Sequence, residues 1–148
     1  MRKTLWAVLL ALVLPLAARA GDDLHLNDHL DYASDSQDGP LITGQHIQQG
    51  VVAGKPNYVI IYGEGCYNSK RQARRTVSLY QKYRERVNFV VVDMDQKLSA
   101  AQEQLVHKYY RGYIPHVVIL DKSGKPLYNS AGEVDESEMA AILDKALQ

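Results

Sequence analysis

From residue 41 onward, apolar residues alternate between short dense runs and longer stretches of helical spacing. Tyr58–Tyr62, Phe89–Val92 and His116–Leu120 are apolar runs bounded by Pro, Gly or Asp, the pattern of strands buried on both faces. Residues 67–86 place Ala73, Val77 and Tyr80 on one face, widened by Thr76, Leu79 and Tyr83, which predicts a helix. Leu98, Ala101, Leu105, Val106 and Tyr109 predict another. Met139, Ile142, Leu143 and Ala146 predict a last one, with Asp135 as N-cap and Glu138 as its reciprocal partner. Ile42, Ile47, Val51 and Val52 predict a short helix ahead of Gly54, stopped by Lys55-Pro56. Asp121–Gly124 reads as a hairpin turn. Pro126–Asn129 reads as an edge strand because it opens with proline.

The order is helix, strand, helix, strand, helix, strand, strand, helix. It predicts an α/β fold: a mixed sheet of about four strands with helices on both faces, parallel at the start with an antiparallel hairpin closing the edge. No internal repeat and no glycine-rich phosphate loop is present, so no cofactor is implied.

The two ends differ in composition from this core. Residues 1–20 carry Arg2 and Lys3, an apolar run over Leu5–Ala18, and Ala18-Arg19-Ala20, which together read as a cleavable secretory signal. The run is shorter than a spanning helix needs, so no stable membrane insertion is expected after cleavage. The full chain of 148 residues has no net charge, which argues against a nucleic-acid binder, whereas the mature part from residue 21 carries −3. Residues 21–40 are rich in Asp, Ser, Gly, His and Asn and read as a flexible polar arm ahead of one compact domain, 41–148. His25 and His29 lie four apart among aspartates; on a helix they would share a face, but as a metal motif this is weak, and a solvated tail is the simpler reading.

The chain has one cysteine, which excludes an intramolecular disulfide framework and a cysteine-rich metal site. In an exported, oxidising space a lone thiol implies a mixed disulfide with a partner or a free thiol with a use. Cys66 follows the first strand and Gly63-Glu-Gly65 and opens the helix beginning near Tyr67. The positive end of the helix dipole and the free N–H groups there favour a thiolate, and Lys70, Arg71, Arg74 and Arg75 add positive charge. The thiolate is the nucleophile of disulfide exchange.

Glu64-Gly-Cys-Tyr-Asn-Ser-Lys70, Val90-Val-Val-Asp-Met-Asp95, Gly112-Tyr-Ile-Pro115 and Lys122-Ser-Gly-Lys125 follow one another in this order. With Lys55-Pro56 and Gly132, they resemble the thioredoxin superfamily over roughly residues 41–148. The resemblance implies a thioredoxin-like three-layer fold with Cys66 as the attacking thiol. It also implies a cis peptide before Pro115, and a substrate groove lined by Tyr67, Ile114, Pro115 and His116. Ser69 stands at the position of the resolving cysteine, Gly65 at that of an aromatic residue, Ile60 at that of a buried acid, and Val91 at that of a lysine. The apparatus for the second half of dithiol cycling is therefore missing, while the attacking thiol is kept.

Three functions fit these residues. In the first, an exported monothiol protein forms mixed disulfides through Cys66 with protein or low-molecular-weight thiol partners. Ser69 would bond to the thiolate, and His116 is a candidate proton shuttle. In the second, the groove serves as a redox-inactive binding module with contacts from Tyr62, Tyr67, Tyr109, Tyr110 and Tyr113. In the third, a cysteine hydrolase, His46, His107 or His116 would have to be oriented beside Cys66, and no local signature supports it. Neither substrate nor oligomeric state is written in the sequence.

Overall fold

The structure is a computed structural model that describes residues 23–45 and 47–148. The signal expected over residues 1–20 and His46 lie outside the described residues. Among the described residues no helix is long and apolar enough to cross a membrane.

The elements are β1 (His25–Leu26), β2 (Ile42–Thr43), β3 (Asn57–Tyr62), α1 (Tyr67–Tyr83), β4 (Asn88–Asp93), α2 (Ala100–Tyr109), β5 (His116–Leu120), β6 (Pro126–Ala131) and α3 (Glu136–Ala146). The main sheet runs β4-β3-β5-β6. Strands β3, β4 and β5 are buried at every position, as their unbroken apolar runs require, whereas β6 is an exposed edge. Side chains alternate between two cores. Tyr58, Ile60 and Tyr62 face α1 and α3, packing with Ala73, Tyr80, Met139 and Leu143. Val59, Ile61, Val90, Val92 and Val118 face α2 through Leu105 and Tyr109.

Only β3 and β4 are parallel; β5 is antiparallel to β3. The expectation of parallel strands throughout the alternating part is corrected here. Asp93 at the end of β4 and His116 at the start of β5 lie at the same end of the sheet, opposite Tyr62 and Ile61 respectively. The segments flanking α2 therefore return the chain to the end it left, and the next strand must run the other way. Ser99 and Gln102 cap α2 reciprocally, and Gln102 Nε2 also donates to Val91 O at 2.8 Å, tying α2 to β4. Asp135 does occupy the N-cap position of α3, but its side chain makes no capping bond and faces Arg75 at 3.3 Å.

Two expectations for the N-terminal part are overturned. The helix expected over residues 42–52 is absent among the described residues: Ile42 lies in β2 and residues 51–52 have no regular structure. The arm is not free. Leu24 is buried with Leu41 and Ile42 against α1, β1 pairs with β2, and the Tyr32 hydroxyl donates to Leu41 O at 2.6 Å. Few apolar residues suffice because the segment satisfies its polar groups on the domain. His25 sits in a strand, bonded to Asp23 O and Thr43, and no group of three His, Cys, Asp or Glu among the described residues is placed to hold a metal.

Strand β4 ends on Asp93, which is buried. Its Oδ1 accepts the Asp95 N–H at 3.0 Å, and its Oδ2 has no hydrogen-bond partner. Burial pushes the carboxyl up to about 7; the Glu64 carboxylate acts in the same direction, and the Asp95 N–H and Tyr62 hydroxyl oppose it.

Leu24→Ala is expected to cost about 2–5 kcal/mol in denaturant unfolding, as for a core leucine, whereas a free arm would give a change within about 0.5 kcal/mol. For Asp93 the folded-state value lies above the unfolded one. Its contribution to stability is thus complete below about pH 4 and lost as pH rises through about 7. Unfolding between about pH 5 and about pH 8 is expected to show a loss of stability that Asp93→Asn largely removes; parallel profiles would contradict the assignment.

Candidate functional site

The antiparallel register of β3 and β5 sets Ile61 opposite His116. Continued one and two residues further, it sets Pro115 against Tyr62 and Ile114 against Gly63, where the loop Gly63–Cys66 begins. The Ile114–Pro115 peptide is cis, and Pro115 O accepts the Gly132 N–H at 2.8 Å. Gly63 is required by this approach: a Cβ there would stand 2.5 Å from Ile114 Cδ1. The carboxylate of Asp95, just beyond β4, holds the loop from the other side by accepting the Glu64 N–H at 2.7 Å, and Gln96 bonds the Glu64 side chain. Asp93 also lines a cavity of about 310 Å³ with Ile42, Tyr62 and Leu98; Cys66 is not part of its wall.

Cys66 is the N-cap residue of α1, half-buried and free. Its backbone is extended, its carbonyl accepts the Lys70 N–H at 3.0 Å, and its side chain makes no capping bond. The first turn of α1 contains no acidic residue of its own. The missing anion comes from the N-terminal segment: Asp35 Oδ1 accepts the Tyr67 N–H at 2.8 Å. Ser69 is fully buried, with its hydroxyl accepting the Gly63 N–H at 3.4 Å rather than bonding Cys66. Ile60 and Val91 stand opposite each other in the β3–β4 ladder and both are buried, so the two positions form one apolar pair.

The basic run does not act as expected. Lys70 is fully buried, and its ammonium donates to Asp31 O, Ser36 O and Ser36 Oγ. Arg71 and Arg75 both bind Glu133, which ties α1 to the segment before α3, and Arg74 lies over the Tyr32 ring at 5.3 Å. These cations hold the scaffold together.

Tyr67 is partly exposed, with the Arg71 guanidinium 5.3 Å from its ring centre, and Tyr113 is 74% exposed beside Ile114. Tyr62 and Tyr109 are core residues, which removes them from the proposed contact set. His116, expected to line the groove, is turned inward: it is 1% exposed, with Nε2 2.6 Å from Asn129 Oδ1 and its ring edge-on to Tyr110. A strand residue alternating into the interior has almost no exposed surface with which to line a groove. Sequence reasoning missed Asp35, because a capping residue 32 positions away leaves no local signal, and it missed the buried role of Lys70 for the same reason.

Residues 45–147 match the thioredoxin-like domain family. A thioredoxin-like protein HCF164, chloroplastic, from Oryza sativa subsp. japonica is 30% identical over 87 residues, 59% of this chain and 32% of the relative. Thiol:disulfide interchange protein TxlA of Synechococcus elongatus is 30% identical over 94 residues, covering 64% and 48%. This chain thus spans a half or less of the length of these curated relatives. Among solved structures, a thioredoxin-like protein from Clostridium perfringens superposes with a TM-score of 0.53 at 18% identity, covering 64% of this chain and 73% of that one. Fasciola hepatica thioredoxin does so at 0.51 and 22%, covering 64% and 83%. The four-stranded mixed sheet, the helices on its two faces and the match over most of the sequence agree, and the chain belongs to the thioredoxin-like family.

Proposed function

We propose that this is an exported monothiol thioredoxin-like protein that forms mixed disulfides through Cys66 with protein or low-molecular-weight partners. The observation that carries the reading is a half-buried, free thiol at the start of α1 with Ser69 three residues on, its hydroxyl engaged by Gly63. The name of the Synechococcus elongatus relative, a thiol:disulfide interchange protein, supports the class of chemistry.

The step is a sulfur exchange. The Cys66 thiolate attacks one sulfur of a substrate disulfide. The Cys66–substrate bond forms as the substrate bond breaks, and the displaced sulfur leaves as a thiolate that takes a proton from water. Ser69 has no thiol, so a second thiol must attack the mixed disulfide and return Cys66 to its reduced form. If that thiol is another of the substrate's own, the outcome is isomerisation; if it is external, it displaces the reduced substrate from the Cys66 sulfur, and a second external thiol then frees Cys66 as an external disulfide forms. Tyr67, Ile114 and Pro115 are the proposed walls of the substrate site.

A second reading, a binding module in which Cys66 is incidental, is favoured by one observation: Tyr113 presents most of its surface to solvent beside Ile114. It predicts full partner binding after Cys66→Ala.

Reduced protein treated with dithiodipyridine is expected to release one thiopyridone per chain and hold the other half on Cys66 until a small thiol is added. Cys66→Ala should release none. Failure of the folded protein to react would exclude the redox reading. Ser69→Cys is expected to gain little insulin-reducing turnover, since the Ile60–Val91 pair offers no proton-transfer group; strong turnover would refute that account.

A further inference from the structure

Residues 31–37 lie across the start of α1. Lys70 fastens them from below through the carbonyls of Asp31 (2.5 Å) and Ser36 (2.7 Å) and the Ser36 hydroxyl (3.0 Å). Asp35 reaches the Tyr67 N–H, one residue beyond Cys66. The segment also packs beside Gly65, one residue before Cys66: a Cβ there would be in van der Waals contact, 3.4 Å from Gln37 Cβ and 3.6 Å from Asp35 O. A larger side chain at 65 would meet the segment. The cysteine is therefore flanked on both chain neighbours by the same stretch of backbone.

We propose that residues 31–37 form a strap that restrains Cys66, with Asp35 as the positioning residue and Lys70 as the latch. The proposal rests on the reading of Cys66 as the reacting thiol. Asp35 acts in two ways, both in the same direction. It occupies an N–H that would otherwise stabilise an anion at the helix start. It also sets a carboxylate on the N–H of the residue that follows Cys66, so that a second negative charge on the thiol is disfavoured. A partner that enters the groove and lifts the strap removes both restraints, so the thiol becomes more nucleophilic on engagement than at rest.

The test is alkylation of Cys66 in the whole mature protein with neutral iodoacetamide and anionic iodoacetate. Asp35→Asn keeps an oxygen for the Tyr67 N–H and removes the charge; Asp35→Ala removes both. At neutral pH the iodoacetamide rate is expected to rise about 3- to 10-fold in Asp35→Asn and further in Asp35→Ala. Iodoacetate should gain more than iodoacetamide, because the carboxylate also repels the reagent. Added salt should narrow the difference between the reagents in the native protein and have little effect on it in Asp35→Asn. A change of packing alone would not move that ratio. Lys70→Met, checked for folding by circular dichroism, should raise both rates by releasing the strap. Equal rates in the native protein and both Asp35 variants, or slower rates in the variants, would overturn the proposal. Equal rates together with a normal dithiodipyridine adduct would overturn the strap and leave the redox reading standing. Faster variants whose thiol forms no mixed disulfide would do the reverse.

Discussion

A fully buried ammonium has three hydrogens to satisfy, and in this fold Lys70 satisfies them on the N-terminal segment alone. That requirement organises the face of the molecule around Cys66. It sets the height of residues 31–36 above α1, and that height in turn brings Asp35 to the first free N–H of the helix. The helix has no acidic residue of its own in its first turn, so its start is completed by a part of the chain that is remote in sequence. Removing the segment would leave a buried charge without partners and a helix start without its anion. The segment and α1 are therefore one structural unit.

The main elements were legible in the sequence because their signals are local. The three apolar runs became the three fully buried strands, and the spacing of Ala73, Val77 and Tyr80 became the buried face of α1. The direction of β5 was not legible, since periodicity locates α2 and says nothing of the path its flanking segments take. The docked arm was missed because its composition is that of a disordered tail. It is held instead by Leu24, by the hydroxyls of Tyr32 and Tyr80 and by bonds to its own backbone carbonyls, which any residue type supplies. The reciprocal cap was sought at Asp135 and Glu138 and is found at Ser99 and Gln102, where the serine accepts and the glutamine closes the pair.

The position of the thiol at the start of α1 was legible, and the electrostatics around it were misread. A run of four basic residues after a cysteine suggests a field at the sulfur. The side chains instead are spent on Glu133, on the Tyr32 ring and on the strap. Charge counted along a helix is not charge delivered at its end, because side chains that long reach other partners. The apolar pair Ile60–Val91 shows the same constraint from the other side: the two positions face each other, both buried, and a lone acid or a lone lysine at either would be buried without a partner.

The exposed strand β6 closes one side of the sheet. An open strand edge is a template on which another chain can add a strand, and in an unprotected sheet it seeds aggregates. Here the strand begins at Pro126, which has no N–H to offer, and the ladder with β5 shifts register between Ile119 and Leu120, which bends it locally. Asn129 and Ser130 add polar side chains along its length. These features make β6 a poor template for indiscriminate pairing, so the sheet can leave this edge open to solvent without a covering helix.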